Sequence, residues 1–243
     1  MTPNRQNPLH SPPARCVLDR TAFTLIELLT VIVIIGVLAA IILPVVGKVR
    51  ASARKATGIS NLRQVGVAVQ TYAVDNKDRL PGPSALGLLH GYGNTDDPKT
   101  RAFASYIGPY LGLPDYTTLA AGVRISVPLL ICPGFVREKP GSSNNVPHFV
   151  QNPNLPVITG PQPRPFGTQN VDPMVPPLTM TDLNNLPGSI TLRWIICNAD
   201  QKVQDVSGTW KTSLPLRGVY DHHRLRLYAD SHVKLVPDDS WKN

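Results

Sequence analysis

One stretch of the chain, from Phe23 to Pro44, is both long and almost wholly apolar. No charged residue occurs from Leu28 to Val46. A helix rises about 1.5 Å per residue, so a helix of this length comes close to the roughly 30 Å hydrocarbon core of a bilayer. Glu27 interrupts the pattern, because a carboxylate in a membrane is costly and is by default a functional residue. The pattern predicts a transmembrane segment over residues 23–46.

A second pattern follows, in which apolar residues recur at steps of three or four, the spacing of one helical face. These residues are Val45, Val49, Ala53, Ala56, Ile59, Leu62, Val65, Val69 and Tyr72. A helix that continues through Pro44 would be kinked there, because proline removes one backbone hydrogen bond and clashes with the preceding turn. The breaker sequence at residues 80–83 predicts that the helix stops near Asp75. Residues 47–80 are thus predicted as the amphipathic half of one long helix, whose apolar face needs a partner such as a β-sheet.

The remaining residues, 81–243, are predicted to form a globular domain with a small antiparallel sheet. A short helix is expected at about residues 99–111, and strands are expected at residues 123–132, 190–198, 224–230 and 233–236. Asp230, Ser231 and His232 can make a tight turn, so the last two strands form a hairpin. Together with the long helix this predicts an α+β fold.

An insert at about residues 140–187 carries eleven prolines. Proline cannot donate to a strand ladder and breaks helix interiors, so this density excludes central strands and helices. The insert is therefore expected to be irregular and extended at the surface, either as a contact loop or as an insertion without a role.

The formal net charge of +8 adds little to these predictions. A positive surplus can favour anionic partners, but it also serves solubility. The sequence lacks a stripe of interleaved aromatic and basic residues, so no nucleic-acid partner is expected. On charge alone the orientation in a membrane is ambiguous, because three arginines precede the apolar segment and four cations follow it at residues 48–55.

Cys132 and Cys197 remain if the N-terminal segment, which contains Cys16, is removed. An extracytoplasmic location would permit a disulfide between them. Each also lies in an apolar, strand-like run, where a free cysteine is an ordinary core residue. Both alternatives stay open, since the sequence does not show whether their Cα atoms come within reach.

No enzyme signature is present: the chain has no Gly-Lys-Ser/Thr phosphate loop, no Gly-x-Ser-x-Gly elbow and no Cys-x-x-Cys pair. Near the C-terminus, side chains that could bind a metal are Asp221, His222, His223, Asp230 and His232. They follow no spaced ligand motif, so neither a metal nor a cofactor is predicted.

The N-terminal order Arg20-Thr21-Ala22 followed by Phe23-Thr24-Leu25-Ile26-Glu27 resembles the type IV prepilin signature. Residues 61–66, Tyr72 and residues 75–76 are similar to the second half of the long helix of pseudopilins. The C-terminal run Leu-Tyr-Ala-Asp-Ser-His-Val is similar to the terminal hairpin of many prepilin-like proteins, with Ser231 where that group has glycine. Ala22 stands where glycine is usual before the cleavage point.

The resemblance implies a leader at residues 1–22, cleavage between Ala22 and Phe23 by a prepilin peptidase/methyltransferase, and N-methylation of Phe23. Glu27 and Pro44 then occupy the family's positions for the assembly glutamate and a helix-kinking proline. The implied protein is a single-pass subunit of the bacterial inner membrane, with its C-terminal domain outside the cytoplasm. It would assemble with other pilin-like subunits into a type II secretion pseudopilus or a type IV pilus.

Two other interpretations stay open. A membrane-tethered, extracytoplasmic binding protein would use the leader for processing only and would never polymerise. An exported enzyme cut after Ala39 would be soluble and would lack the helix.

Overall fold

A computed structural model describes residues 23–94, 97, 100–140, 146–156, 164–188, 193–203 and 210–239. The predicted leader, residues 1–22, lies outside the described residues. The chain divides into two compact units, Met1–Gly47 and Lys48–Asn243.

A single helix, α1, covers Leu25–Asp75, a length of 51 residues. It includes Pro44 and ends where the sequence predicts. The backbone turns immediately afterwards, at Lys77 and Asp78, which both have positive φ. The predicted long helix is therefore confirmed.

The second unit contains a five-stranded antiparallel sheet with the strand order β1-β4-β5-β6-β7. The strands are β1 Gly87–Leu88, β4 Phe149–Gln151, β5 Trp194–Asn198, β6 His223–Tyr228 and β7 Val233–Pro237. A separate two-stranded ribbon pairs β2, Gly91–Gly93, with β3, Arg124–Ser126. The long helix with this sheet confirms the predicted α+β class, which is consistent with a pilin-like fold.

The short helices differ in part from the sequence expectations. The helix predicted at about 99–111 is only α2, Phe103–Ile107, followed by a 3-10 turn at Pro109–Leu111. The strand predicted at 123–132 is wrong beyond Ser126, because Pro128 starts a 3-10 turn and Pro133 then starts helix α3, Pro133–Glu138. Both prolines stand at a first helical position, where their missing N–H costs nothing.

The expectation for the proline-rich insert is also wrong in part. The proline-free residues Phe149–Gln151 form β4, a buried strand between β1 and β5. Met180–Asn185 forms helix α4, and Thr179 at its N-cap makes a capping box. The fully buried Gln151 side chain donates to the carbonyls of Ala85 and Gly167 and accepts from the N–H of Phe166. One amide thus ties the insert to the chain that follows α1.

The second half of α1 packs on one face of the sheet through a stripe that includes the predicted Leu62, Val65 and Val69 and also contains small residues outside the prediction. Its buried residues are Gly58, Leu62, Val65, Gly66, Ala68, Val69 and Ala73. A Cβ at Gly58 would lie 2.4 Å from the Tyr220 hydroxyl, and one at Gly66 would lie 2.9 Å from Leu227 Cδ1. Two glycines therefore leave room for Tyr220 and for side chains of β6 and its hairpin close to the helix backbone, and apolar periodicity alone does not mark them.

The opposite face of β6 is buried as well. Side chains alternate along a strand, so Arg224 and Arg226 point away from the face that carries Leu225 and Leu227. Arg224 is fully buried, and its guanidinium contacts both carboxylate oxygens of Asp200. Such a pair resists the removal of either partner, because the remaining charge would be buried alone.

The residue that follows the last strand, Asp238, also contacts Arg224. Arg224 Nη1 donates to the Asp238 carbonyl over 2.6 Å, and Lys202 Nζ lies 3.1 Å from Asp238 Oδ1. Burial alone would raise the pKa of Asp238, but the hydrogen bonds from Lys202 and from the Gly218 N–H hold it below the ordinary value. The strand end is thus clamped to the segment that follows β5.

Two histidine rings, His90 and His148, form a cluster with 5.2 Å between their centroids. His148 is 4 % exposed, stacks on Phe135 at 4.0 Å between ring centroids, and accepts a hydrogen bond from the Cys132 N–H through Nδ1. Burial, followed by the nearby His90 ring, lowers the pKa of His148 to about 4. His148 is therefore neutral in the folded protein at neutral pH.

Replacing Gly66 by Ala should destabilise the second unit, although alanine favours helices over glycine by about 1 kcal/mol. The new Cβ would lie 2.8 Å from Ser231 Oγ and 2.9 Å from both Ser231 Cβ and Leu227 Cδ1. Overpacking of this kind typically costs about 1–3 kcal/mol. We expect a net loss of about 1 kcal/mol in the free energy of unfolding, measured by denaturant unfolding of the full chain in detergent micelles.

The matched control for this substitution is Gly47→Ala in the same helix, where no atom lies within 4 Å of the new Cβ. It should leave the unfolding of the second unit unchanged or slightly raise its midpoint. Equal stabilisation by both substitutions would contradict the close approach at Gly66.

Acidification should destabilise the second unit between the ordinary histidine pKa of 6.5 and the folded value of about 4. In that window the unfolded chain binds a proton at His148 and the folded chain does not. The free energy of unfolding should therefore fall by up to about 1.4 kcal/mol per pH unit from this group. In His148→Gln, thermal unfolding measured across the window should show a shallower pH dependence.

The comparison for this experiment is His222→Asn, which removes an exposed imidazole outside the cluster. It should retain the pH dependence of the parent chain. Identical slopes for the parent and for His148→Gln would contradict a buried, neutral His148.

Candidate assembly segment

The described part of the first unit, residues 23–47, is exposed at every position. Phe23 exposes 80 % of its surface and Leu25 exposes 83 %. Contiguous apolar surface of this extent marks a site of contact with a membrane or with other proteins. Among the described residues, α1 is the one helix that is long and apolar enough to cross a membrane. The predicted transmembrane segment thus coincides with a helical surface that none of the described residues covers.

Glu27 lies in the first turn of α1 and faces Thr24. Its Oε2 accepts hydrogen bonds of 2.8 Å from both the Thr24 N–H and the Thr24 hydroxyl, and the Glu27 N–H donates to Thr24 Oγ1 over 3.3 Å. This reciprocal arrangement is a capping box, which satisfies N–H groups that the start of a helix leaves without partners. Sequence reasoning missed this role, although Thr-x-x-Glu before an apolar run is its usual signal.

The second oxygen of Glu27 has a different environment. Among the described residues, Oε1 accepts no hydrogen bond, whereas Oε2 holds Thr24. Phe23 lies directly before Thr24, and Ala22 lies outside the described residues. The Glu27 carboxylate therefore holds the residue next to the predicted new N-terminus, and its other oxygen is available to a further donor.

Pro44 lies inside α1, which continues without interruption to Asp75. Because Pro44 has no N–H, the carbonyl of Ala40 lacks its usual helical donor. Pro44 stands far along the helix from Glu27, so these two predicted assembly residues share one element and form no common site.

Cys132 and Cys197, for which a disulfide was one of two alternatives, are both buried free thiols. Asn198 Nδ2 donates to Cys132 Sγ over 3.2 Å, and Cys197 precedes Asn198 in β5. Neighbouring residues of a strand point to opposite faces, so the two thiols lie on different sides of the sheet. Burial raises the pKa of Cys197 to about 12, and it also raises the pKa of Cys132. The structure thus favours the alternative in which both cysteines are core residues.

The acidic and histidine residues near the C-terminus contact neighbours in their own segment of the chain. His232 stacks on Tyr228 with 4.1 Å between ring centroids and lies 2.5 Å from Asp230 Oδ1. His223 Nδ1 lies 2.6 Å from the Asp221 carbonyl oxygen. In the part of the chain that the structure describes, no group of three or more His, Cys, Asp or Glu side chains could hold a metal ion.

The predicted C-terminal hairpin is present and packs on α1. Tyr228 and His232 close its turn through a 3.0 Å backbone hydrogen bond, and Ser231 adopts φ of 64°. A positive φ favours glycine, the residue that the resembling hairpins carry here. Gln70 of α1 donates to the Ala229 carbonyl over 3.0 Å, which fixes the hairpin to the helix.

A protein-family comparison identifies the prokaryotic N-terminal methylation motif at residues 19–43. No curated protein and no solved structure matches the chain. The motif covers the predicted cleavage point, the Thr24–Glu27 capping box and most of the apolar helix. This is the prepilin-type signature, and its position at the start of one long apolar helix agrees with the observed fold. The chain thus carries the N-terminal signature of prepilin-like proteins.

Proposed function

We propose that this protein is a structural subunit that is cleaved between Ala22 and Phe23, N-methylated on Phe23, and assembled through α1 into a type II secretion pseudopilus or a type IV pilus. The observation that carries the proposal is the first half of α1. It is apolar and exposed along its whole described length, and it carries one carboxylate in its first turn. Such a helix needs a membrane before assembly and neighbouring helices after it.

Moving the apolar half of α1 from the membrane to a position among neighbouring helices requires little free energy. Lipid tails and helix side chains are similarly apolar, so the hydrophobic effect gives little preference for packing with one register over another. A polar pair between helices then has a large influence on register. The second unit would project outward as the contact surface of the filament.

Glu27 supplies the polar group for such a pair. The amine of a methylated Phe23 is a cation, and a carboxylate and an amine stabilise each other in an apolar medium where either alone would be costly. Oε2 is occupied by Thr24, whereas Oε1 accepts no hydrogen bond from the described residues. Glu27 can therefore keep its helix cap and still accept the amine of its own chain or of a neighbouring subunit.

The implied partners are a prepilin peptidase/methyltransferase, other pilin-like subunits and the membrane. We place the protein in the bacterial inner membrane with one crossing and with the second unit outside the cytoplasm. This orientation follows the cleavage motif, because the three arginines before the apolar segment and the four cations after it leave the orientation ambiguous on charge alone. The proposed role is structural, with no catalysis and no cofactor.

The first expected result is an N-terminus at Phe23 that carries one methyl group, determined by mass spectrometry on protein taken from the membrane fraction of its bacterial host. Ala22→Gly, which restores the residue usual in this signature, should be processed at least as completely as the parent chain. An intact Met1 would indicate a signal anchor. A soluble form that begins at Ala40 would overturn the proposal.

The second expected result separates the two roles of Glu27. Glu27→Gln can still accept the Thr24 hydrogen bonds, because glutamine also completes a capping box, but it carries no charge. Under the proposal it should reduce crosslinked oligomers in the membrane by at least about tenfold, which corresponds to roughly 1.4 kcal/mol. Glu27→Ala should assemble no better than Glu27→Gln.

The matched control is Thr24→Ala, which removes the cap and retains the carboxylate. It should assemble far better than Glu27→Gln. If Glu27→Gln assembles like the parent chain while Thr24→Ala does not, then Glu27 acts only as a cap. If neither change affects oligomers or secretion, the protein is instead a tethered binding protein that never polymerises.

A further inference from the structure

The second unit contains a cleft of about 1000 Å³ between α1, α3 and the segment that leads into β6. Its charged lining is strongly basic, with two carboxylates, Glu138 and Asp221. The six cationic residues are Lys48, Arg54, Lys55, Arg137, Lys139 and Arg217. Three separate parts of the chain thus bring positive charge to one concave surface.

These cations are poorly neutralised by the protein. Arg137 Nε lies 3.9 Å from Glu138 Oε1, but both side chains are about half exposed, so that pair contributes little. The other five cations form no ion pair with any described carboxylate. Like charges gathered in a cleft repel one another and attract an anion.

The cleft starts where the apolar segment ends. Lys48 follows Val46 by two residues, and an extended chain covers at most about 3.6 Å per residue, so Lys48 is within about 7 Å of the end of that segment. The headgroup layer on each side of a bilayer is about 5–8 Å thick. Lys48 therefore lies at or beside the headgroups, on whichever side of the membrane the second unit stands.

The rest of the lining suits an interface between lipid and water. Leu216 lies in the cleft beside Arg217 and exposes 71 % of its surface. Arginine binds phosphate oxygens through two parallel hydrogen bonds, and lysine binds them as a point charge. An exposed leucine next to these cations provides an apolar contact for the glycerol and the first methylenes of a lipid.

We propose that this cleft binds the headgroup of an anionic phospholipid. The ligand class is a phosphodiester with net negative charge that is attached to acyl chains, such as phosphatidylglycerol. The proposal rests on the membrane-anchored part of the proposed function and not on filament assembly. Bound lipid would hold the second unit against the membrane until the subunit is extracted.

The test uses the full chain in neutral detergent micelles, with bound lipid counted by native mass spectrometry. Phosphatidylglycerol and phosphatidylcholine with the same acyl chains are compared. The cleft variant combines Lys48→Gln, Arg137→Gln and Arg217→Gln, which are all exposed positions. The control variant combines Arg63→Gln, Arg124→Gln and Lys234→Gln, which are also exposed and lie outside the cleft.

The parent chain and the control variant should bind phosphatidylglycerol in preference to phosphatidylcholine. The cleft variant should bind phosphatidylglycerol at least about tenfold more weakly, because each basic residue near an anionic surface contributes substantially to the affinity. Single Arg217→Gln should give a smaller loss in the same direction, which keeps the test valid if the triple variant unfolds. Equal loss in the cleft and control variants would overturn the proposal, because net charge alone would then explain binding.

Two further outcomes would overturn the choice of ligand. If sn-glycerol 3-phosphate or inorganic phosphate displaces the lipid at comparable concentration, the cleft is a site for a free anion. If a short DNA duplex displaces it more effectively, the cleft is a nucleic-acid surface. A failure of filament assembly would not affect these measurements, so the two proposals can fail separately.

Discussion

One helix of this protein, α1, has to be stable in two different surroundings, one apolar and one aqueous. The first half of α1 exposes a continuous apolar surface, and the described chain offers nothing to cover it. The second half buries one face against the sheet. Because an uncovered apolar helix is stable only in lipid or among similar helices, the division of the chain near Lys48 is also a division between apolar and aqueous surroundings.

The second unit holds its own part of α1 through contacts that fix β6 from both faces. Close packing at Gly58 and Gly66 lets the helix backbone approach β6 and the C-terminal hairpin. On the other side of the same strand, Arg224 and Asp200 form a fully buried ion pair. The strand is thus fixed from both faces, by backbone proximity on one and by charge on the other.

The sequence was sufficient for features that follow from a long, regular pattern. The end of α1 near Asp75 and the C-terminal hairpin follow from periodicity and turn residues. The strand β4 could not be predicted, because a strand of three residues between Pro147 and Pro153 is too short to show a period. Nor does alternation reveal that Arg224 is buried, because the partner that neutralises it, Asp200, comes from another strand end. At the N-terminus, spacing identified Glu27, but only coordinates show which of its oxygens holds Thr24.

The two ends of the apolar segment carry opposite charges, and this arrangement has a mechanical consequence under the proposed function. Glu27 lies at its start and Lys48 just beyond its end. A charged group at either end resists being drawn into hydrocarbon, so the pair limits how far the helix can slide along its axis while it is in lipid. Under the two proposals, assembly would release lipid from the basic end and would pair the Glu27 carboxylate with an amine. Because pairing with an amine compensates the burial of the Glu27 charge, extraction of the helix from lipid would be favoured most when a neighbouring helix is already in place.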